Sequence, residues 1–146
     1  MILLDTSILI DFYRKSNKQN SHLLKLNSIY DIIFVSQITF FEIYIGSNVD
    51  QKKFWDNVFS QIKVLDFDFK ATSSAVQIYK QLKAQNKLIE TADIFIAATA
   101  IANNLSLATL NVKHFSRTQQ ILKLLIYNFR KITINNILPH QACSPL

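Results

Sequence analysis

Gly46 is the only glycine in a chain of 146 residues, where average usage would give roughly ten. Such a chain cannot build the loops that hold phosphate on bare backbone. Neither a GxGxxG dinucleotide loop, nor a GxxxxGK[ST] phosphate loop, nor a GxSxG nucleophile elbow can be written with one glycine. Any phosphate chemistry must therefore run through side chains or a metal. Cysteine narrows the field further: Cys143 alone permits neither an internal disulfide nor a cysteine-based zinc site, which suits a reducing compartment. His22, His114 and His140 are far apart and form no HExxH or HxH pair. No apolar run approaches the roughly twenty residues of a membrane span. Asp5 interrupts the apolar start, and no basic region precedes it as in a signal peptide. The expectation is a soluble cytoplasmic protein with no membrane partner.

At 49% hydrophobic and 18% charged residues, the chain has enough apolar material for one domain with a core. Ile2-Leu3-Leu4 reads as a short buried strand, and Asp5-Thr6-Ser7 offers capping residues for a helix beginning with Ile8 and Leu9. Residues 20–30 read as helix, with Leu23, Leu24, Leu26 and Ile29 near helical spacing. Residues 32–35 form a second strand, 50–61 an amphipathic helix and 63–65 a third strand. Residues 69–86 and 91–103 form two further helices, the latter rich in alanine, and 106–109 a fourth strand. Residues 36–46 are two-valued. Their β-branched and aromatic content favours strand, whereas Ser36 as an N-cap, with Ile38, Phe41 and Ile45 on one face, favours helix. Short strands alternating with helices point to an α/β fold with a mainly parallel sheet of four to five strands.

In such sheets ligands bind beyond the carboxyl ends of the strands. Asp5 follows the first strand at that end, and Asn111 follows the fourth. Glu42 sits among Ile38, Phe40, Phe41, Ile43, Tyr44 and Ile45, and no Lys or Arg occurs between Asp31 and Asp50 to neutralise it. An unpaired carboxylate near a core is costly, so its partner is either a distant base or a cation. Asp93 lies in the first turn of the alanine-rich helix, with Glu90 three residues before it on the same face. Converging acids repel unless a hard cation sits among them, and Mg²⁺ suits all-oxygen ligands. Such an ion makes a water easier to deprotonate for attack on a phosphodiester.

These segments resemble a known family. M-I-L-L-D-T-S-I-L-I-D, residues 1–11, is similar to the N-terminal motif of PIN-domain ribonucleases, in particular the VapC-type toxins of toxin–antitoxin pairs. V-S-Q-I-T-F-F-E-I-Y-I-G, residues 35–46, resembles the second motif. E-T-A-D-I-F-I-A-A-T-A, residues 90–100, resembles the third, and L-A-T-L-N-V-K-H-F, residues 107–115, the fourth. The resemblance implies a three-layer α/β/α fold and makes 37–46 a helix. It implies that Asp5, Glu42 and Asp93 hold Mg²⁺, or Mn²⁺, and carry catalysis. Thr6, Ser7, Glu90, Thr109 and Asn111 support them, with Thr6 or Ser7 orienting Asp5 or a water. Asn111 falls where many relatives have a fourth acid, which lowers the site charge by one. The implied function is a metal-dependent endoribonuclease, with RNA as substrate, a small protein antitoxin as partner and a homodimer as the assembly. The alternative is an inactive PIN-like binding or assembly module.

The chain departs from the family after Phe115. Residues 1–126 are expected to form the nuclease domain, and 127–146 an atypical C-terminal segment. The fifth strand is placed at either 124–127 or 132–134. Net charge is +6, from 16 Lys and Arg against 10 Asp and Glu. If Asp5, Glu42, Glu90 and Asp93 converge, six acids remain elsewhere against those sixteen bases. Arg14, Lys15 and Lys18 after the first helix, with Lys113 and Arg117 after the fourth strand, are the candidate phosphate contacts. Phe12 and Tyr13 are read as core, and His114 as a surface or groove residue.

Overall fold

The computed structural model covers residues 1–116 and the backbone of 126–127. Five strands form one sheet: β1 (Ile2–Leu4), β2 (Ile33–Ser36), β3 (Lys63–Leu65), β4 (Ser106–Ala108) and β5 (Ile126–Tyr127). Their order is β3-β2-β1-β4-β5, and every neighbouring pair is parallel. Six helices connect or flank them: α1 (Thr6–Arg14), α2 (His22–Asn27), α3 (Gln37–Ile45), α4 (Val49–Phe59), α5 (Phe69–Ala84) and α6 (Thr91–Ala102). The expected mainly parallel α/β/α architecture is present. Strand β5 lies within 124–127. The rival span 132–134 and nearly all of the proposed C-terminal segment, 127–146, lie outside the described residues.

The alternation of side chains along β1 divides the core into two layers. Leu3 points to one face, where it joins Leu107, Phe115, Ile78 and Leu82 of α5, and Ile94, Ala97 and Ala100 of α6. Ile2 and Leu4 point to the other, with Val35, Ile8 and Leu9 of α1, Leu23 and Leu26 of α2, and Trp55 and Val58 of α4. The central strand β1 reads as an unbroken apolar run because both of its faces are covered. Helix α6 is buried at Ile94, at every position from Ile96 to Ala100 and at Ala102. Its alanines let it lie close to the sheet, which brings its N-terminus towards the strand ends.

Asparagine takes the place of glycine where the backbone must turn left-handed. Asn86 and Asn104, both at φ 54°, end α5 and α6. Each closes its helix with paired bonds: Asn86 N to Lys83 O and Lys87 N to Leu82 O, then Asn104 N to Ile101 O and Leu105 N to Ala100 O. This is the Schellman arrangement, in which Asn is the usual substitute for Gly. The lone Gly46 has φ −87°, open to any residue. There a Cβ would stand 3.3 Å from the Glu42 carbonyl.

Two sequence expectations about packing are corrected. Residues 37–45 are helical, but the buried side chains are Thr39 and Ile43. Phe41 and Ile45 are 60% and 71% exposed. The helix is apolar around most of its circumference, so periodicity gave no reliable inward face. Ile29, expected within a helix over residues 20–30, lies beyond the end of α2 and is exposed.

Candidate functional site

Because the strands are parallel, their carboxyl ends share one edge, and the four motifs deliver their polar residues there. Asp5 leaves β1 at that edge, and its backbone N–H donates to the Ala108 carbonyl of β4 at 2.9 Å. It is the N-cap of α1 by position but makes no side-chain cap bond. Its carboxylate, only 4% exposed, accepts two hydroxyls at Oδ2: Ser7 at 2.6 Å and Thr109 at 2.7 Å. Both hydroxyls are themselves fixed, since Leu110 N donates to Ser7 Oγ at 3.0 Å and Asn111 N to Thr109 Oγ1 at 2.9 Å. Thr6 turns the other way and donates to Glu42 Oε2. The sequence reading left Thr6 and Ser7 interchangeable; the structure gives Ser7 to Asp5 and Thr6 to Glu42.

Glu42 is half-buried and carried by α3, whose start is fixed by Ser36 Oγ accepting from Thr39 N at 3.0 Å. Burial raises the Glu42 pKa above its ordinary 4.5; the Thr6 hydroxyl opposes this, and the charges of Asp5, Asp93 and Glu90 push it up further. Asp93 is likewise raised, first by burial and then by Asp5 and Glu90, against the lowering effect of His114. Glu90, the N-cap residue of α6, is exposed and makes no side-chain cap bond. Four acids from three elements, Asp5 at the start of α1, Glu42 on α3 and Glu90 and Asp93 at the start of α6, thus meet at Glu42 and Asp93. Among the described residues, the groups that act most on Glu42 and Asp93 include no Lys or Arg.

Asp93 has one positive-capable neighbour. His114 Nδ1 stands 2.7 Å from Asp93 Oδ2 and 2.9 Å from the Asn111 side-chain amide. The sequence reading gave His114 no tie to the acids. The contact spans 21 residues, so only the register of the turn after β4 could have signalled it.

The donor set fits a hard divalent cation in chemistry: carboxylate oxygens, crowded in charge and without a lysine or arginine counter-ion. Among the described residues, no three acid, histidine or cysteine side chains stand close enough to grip an ion between them. Asp5 and Glu42 are each engaged by hydroxyls, and Asp93 by an imidazole. That arrangement suits Mg²⁺, which keeps several waters and takes few direct carboxylates.

The basic residues separate into two kinds. Arg14 is exposed and, with Lys15, Ser7, Ile10, Asp11 and Leu110, lines an open depression beside Asp5. Lys15 is partly committed, 3.6 Å from Asp11 and bonded to the Asn20 carbonyl. Lys18 is not a groove residue. Its ammonium donates to the Phe12 and Tyr13 carbonyls at 2.7 and 2.6 Å and lies over the Phe12, Tyr13 and Phe54 rings. It closes the end of α1, where a cation meets the negative pole of the helix. Phe12 and Tyr13 pack on Phe54, and Tyr13 also on Trp55, as expected for core. Lys113 is exposed, and Arg117 lies outside the described residues.

The protein is thus a five-stranded parallel sheet with carboxylates from α1, α3 and α6 gathered at its carboxyl edge. The chain belongs to the PIN domain family, whose model matches residues 2–120. It is similar to the Ribonuclease VapC1 of Methanocaldococcus jannaschii, with 34% identity over 120 residues and 82% of each chain covered. It is 36% identical over 128 residues to the Ribonuclease VapC1 of Rickettsia felis, covering 81% of this chain and 90% of the relative. Among solved structures it resembles VapBC2 of Rickettsia felis bound to a promoter DNA fragment, at TM-score 0.74 and 28% identity. That match covers 86% of this chain and 96% of the other. VapBC-1 of nontypeable Haemophilus influenzae matches at TM-score 0.74 and 25% identity, covering 90% of this chain and all of the other.

Proposed function

We propose that the chain is a VapC-type toxin, a Mg²⁺-dependent endoribonuclease whose activity a small protein antitoxin restrains. The observation that carries this reading is the convergence of the Asp5, Glu42 and Asp93 carboxylates at one sheet edge, where burial and the neighbouring acids raise the Glu42 and Asp93 pKa values and His114 is the basic side chain that opposes the rise at Asp93. The names of the relatives supply the ribonuclease and toxin–antitoxin context. When bound, the cation supplies a more acidic water and charge neutralisation at the scissile phosphate. Asp5, Glu42 and Asp93 hold it, directly or through water. Ser7 and Thr109 point the Asp5 carboxylate by donating to one of its oxygens, and Thr6 points Glu42 in the same way. Arg14, with Lys15 and Lys113, binds the phosphates that flank the cut and adds affinity rather than sequence choice.

Hydrolysis of this kind leaves a 5′-phosphate and a 3′-hydroxyl. Incubation of RNA with and without EDTA, followed by mapping of product ends, tests it. A 2′,3′-cyclic phosphate, or cleavage indifferent to EDTA, overturns it. Absence of Mn²⁺ binding would favour the inactive-module alternative. The antitoxin would cover the acids with a side chain or extended segment. A second copy is assigned to the apolar stripe of α5, where Phe69, Val76 and Tyr79 are exposed; light scattering of the purified chain reads that state directly.

A further inference from the structure

We infer that His114, steadied by Asn111, is the positioning residue of Asp93. Residues 109–114 then act as a strap that sets the separation of Asp5 from Asp93. This rests on the metal-site reading above. The chain of contacts is continuous. Thr109 Oγ1 donates to Asp5 Oδ2 at 2.7 Å and accepts from Asn111 N at 2.9 Å. The Asn111 amide meets His114 Nδ1 at 2.9 Å, and that same nitrogen meets Asp93 Oδ2 at 2.7 Å. The strap is anchored at both ends, since Thr109 and Phe115 are fully buried. His114 N also bonds back to the Asn111 carbonyl at 3.1 Å.

Asp93 needs such a tether. It is the third residue of α6, where an acid ordinarily folds back onto the N-cap backbone N–H. No reciprocal cap bond forms with Glu90; Asp93 Oδ2 is engaged instead from across the site.

The chemistry of one ring nitrogen fixes the polarity of the contact. Nδ1 cannot both accept from an amide N–H and donate to a carboxylate. A bare Nδ1 lone pair facing a carboxylate oxygen at 2.7 Å would be repelled, so Nδ1 carries the proton and donates to Asp93. The Asn111 amide is then turned end for end, with Oδ1 facing the same N–H, an exchange that heavy-atom positions permit. Nδ1 bears this proton in the neutral tautomer and in the imidazolium alike, so the tether does not depend on titration. The His114 side chain is 37% exposed and that of Asp93 14%, so truncating the imidazole opens no buried void.

The stereochemistry supplies the test. Asparagine at 114 places an N–H donor where the imidazole has Nδ1, whereas glutamine reaches the place of Nε2. Mn²⁺ alone is titrated into the full chain, with free ion counted by electron paramagnetic resonance, for wild type and for His114→Ala, His114→Gln and His114→Asn. Loss of a group that orients a ligand typically costs about 10- to 100-fold in affinity. That loss is expected for Ala and Gln, and Asn is expected to recover most of it. Metal-free thermal melts should show all four proteins folded, with only the modest loss that removing one part-exposed hydrogen bond brings. Wild-type affinity in His114→Ala, or an Asn variant as weak as Ala, overturns the positioning role alone. No Mn²⁺ binding by wild type, or an unchanged affinity in Asp93→Asn, overturns the metal-site reading and this inference with it.

Discussion

Replacing Thr109 by valine removes one hydroxyl from the centre of the site and leaves almost nothing else changed. The side chain is fully buried, and valine is nearly its isostere, so no cavity opens. What is lost is a 2.7 Å hydrogen bond to an ionised carboxylate, Asp5 Oδ2, and the acceptor for Asn111 N at 2.9 Å. A hydrogen bond to a charged group contributes about 1.5–3 kcal/mol. Ser7 remains on the same Asp5 oxygen at 2.6 Å, and Asn111 is partly exposed, so water can take over part of its lost bond. The extra methyl group offsets some of the remainder, by up to about 0.8 kcal/mol. The net cost is about 2 kcal/mol, or roughly 4–8 °C in melting temperature for a chain of this size. The assay is a thermal melt in EDTA of wild type, Thr109→Val, Asp5→Asn and the double variant. Bonds to ionised groups are about twice as strong as neutral ones, so the Thr109→Val cost should fall by about half, roughly 1 kcal/mol, in the Asp5→Asn background. An unchanged melt for Thr109→Val, or an equal cost in both backgrounds, would refute the claim that this hydroxyl serves the Asp5 charge.

Three further outcomes follow from the same geometry. Burial raises the pKa of both Glu42 and Asp93, and neighbouring acids add to the rise. The folded chain therefore holds these protons more tightly than the unfolded chain, and metal-free stability falls as pH rises from about 4 through the raised folded values. Glu42→Gln should flatten that fall and be more stable than wild type in urea melts at pH 7, while losing Mn²⁺ affinity; lower stability at pH 7 contradicts the sign. Arg14→Ala should weaken RNA binding and reduce the slope of log K against log salt by about one; an unchanged slope removes Arg14 from the phosphate path. Lys18→Met should leave that slope unaltered but cost about 2–3 kcal/mol in urea melts, through two carbonyl bonds and the ring contacts. A change of slope without loss of stability would return Lys18 to the groove.

The sequence was most informative where chemistry and chain order coincide. Ile2 to Leu4 had to be a buried strand, and Asp5 had to emerge at its carboxyl end, because three apolar residues followed by capping residues leave few other options. Glu42 stood out because its neighbours are apolar and offer no base, and Asp93 because it opens an alanine-rich helix with Glu90 three residues before it. The inward face of α3 was not legible. Phe40, Phe41, Ile43 and Ile45 are nearly equivalent by hydropathy, and only the position of the sheet decides that Ile43 is buried and Ile45 exposed. Lys18 and Arg14 were likewise equivalent as charges. The difference between a helix-end clamp and a free guanidinium lies in the path of residues 15–18, which turns Lys18 back over the Phe12 and Tyr13 carbonyls.

Glycine scarcity has a structural counterpart as well as a chemical one. Left-handed turns remain necessary, and Asn86 and Asn104 supply them at helix ends. Asn104 leads through Leu105 directly into β4, so the turn that replaces a glycine also sets the register that brings Thr109 to Asp5 and His114 to Asp93. A nest of backbone N–H groups would bind phosphate with fixed polarity. Here the polarity is reversed: hydroxyls and an imidazole spend their protons on carboxylates, and on the proposed reading the oxygen-rich edge that results takes a cation first and phosphate only through it. The same reversal explains the charge distribution. On the proposed reading the acids alone would repel an RNA backbone, and exposed bases such as Arg14 offset that repulsion in a chain of sixteen Lys and Arg against ten Asp and Glu.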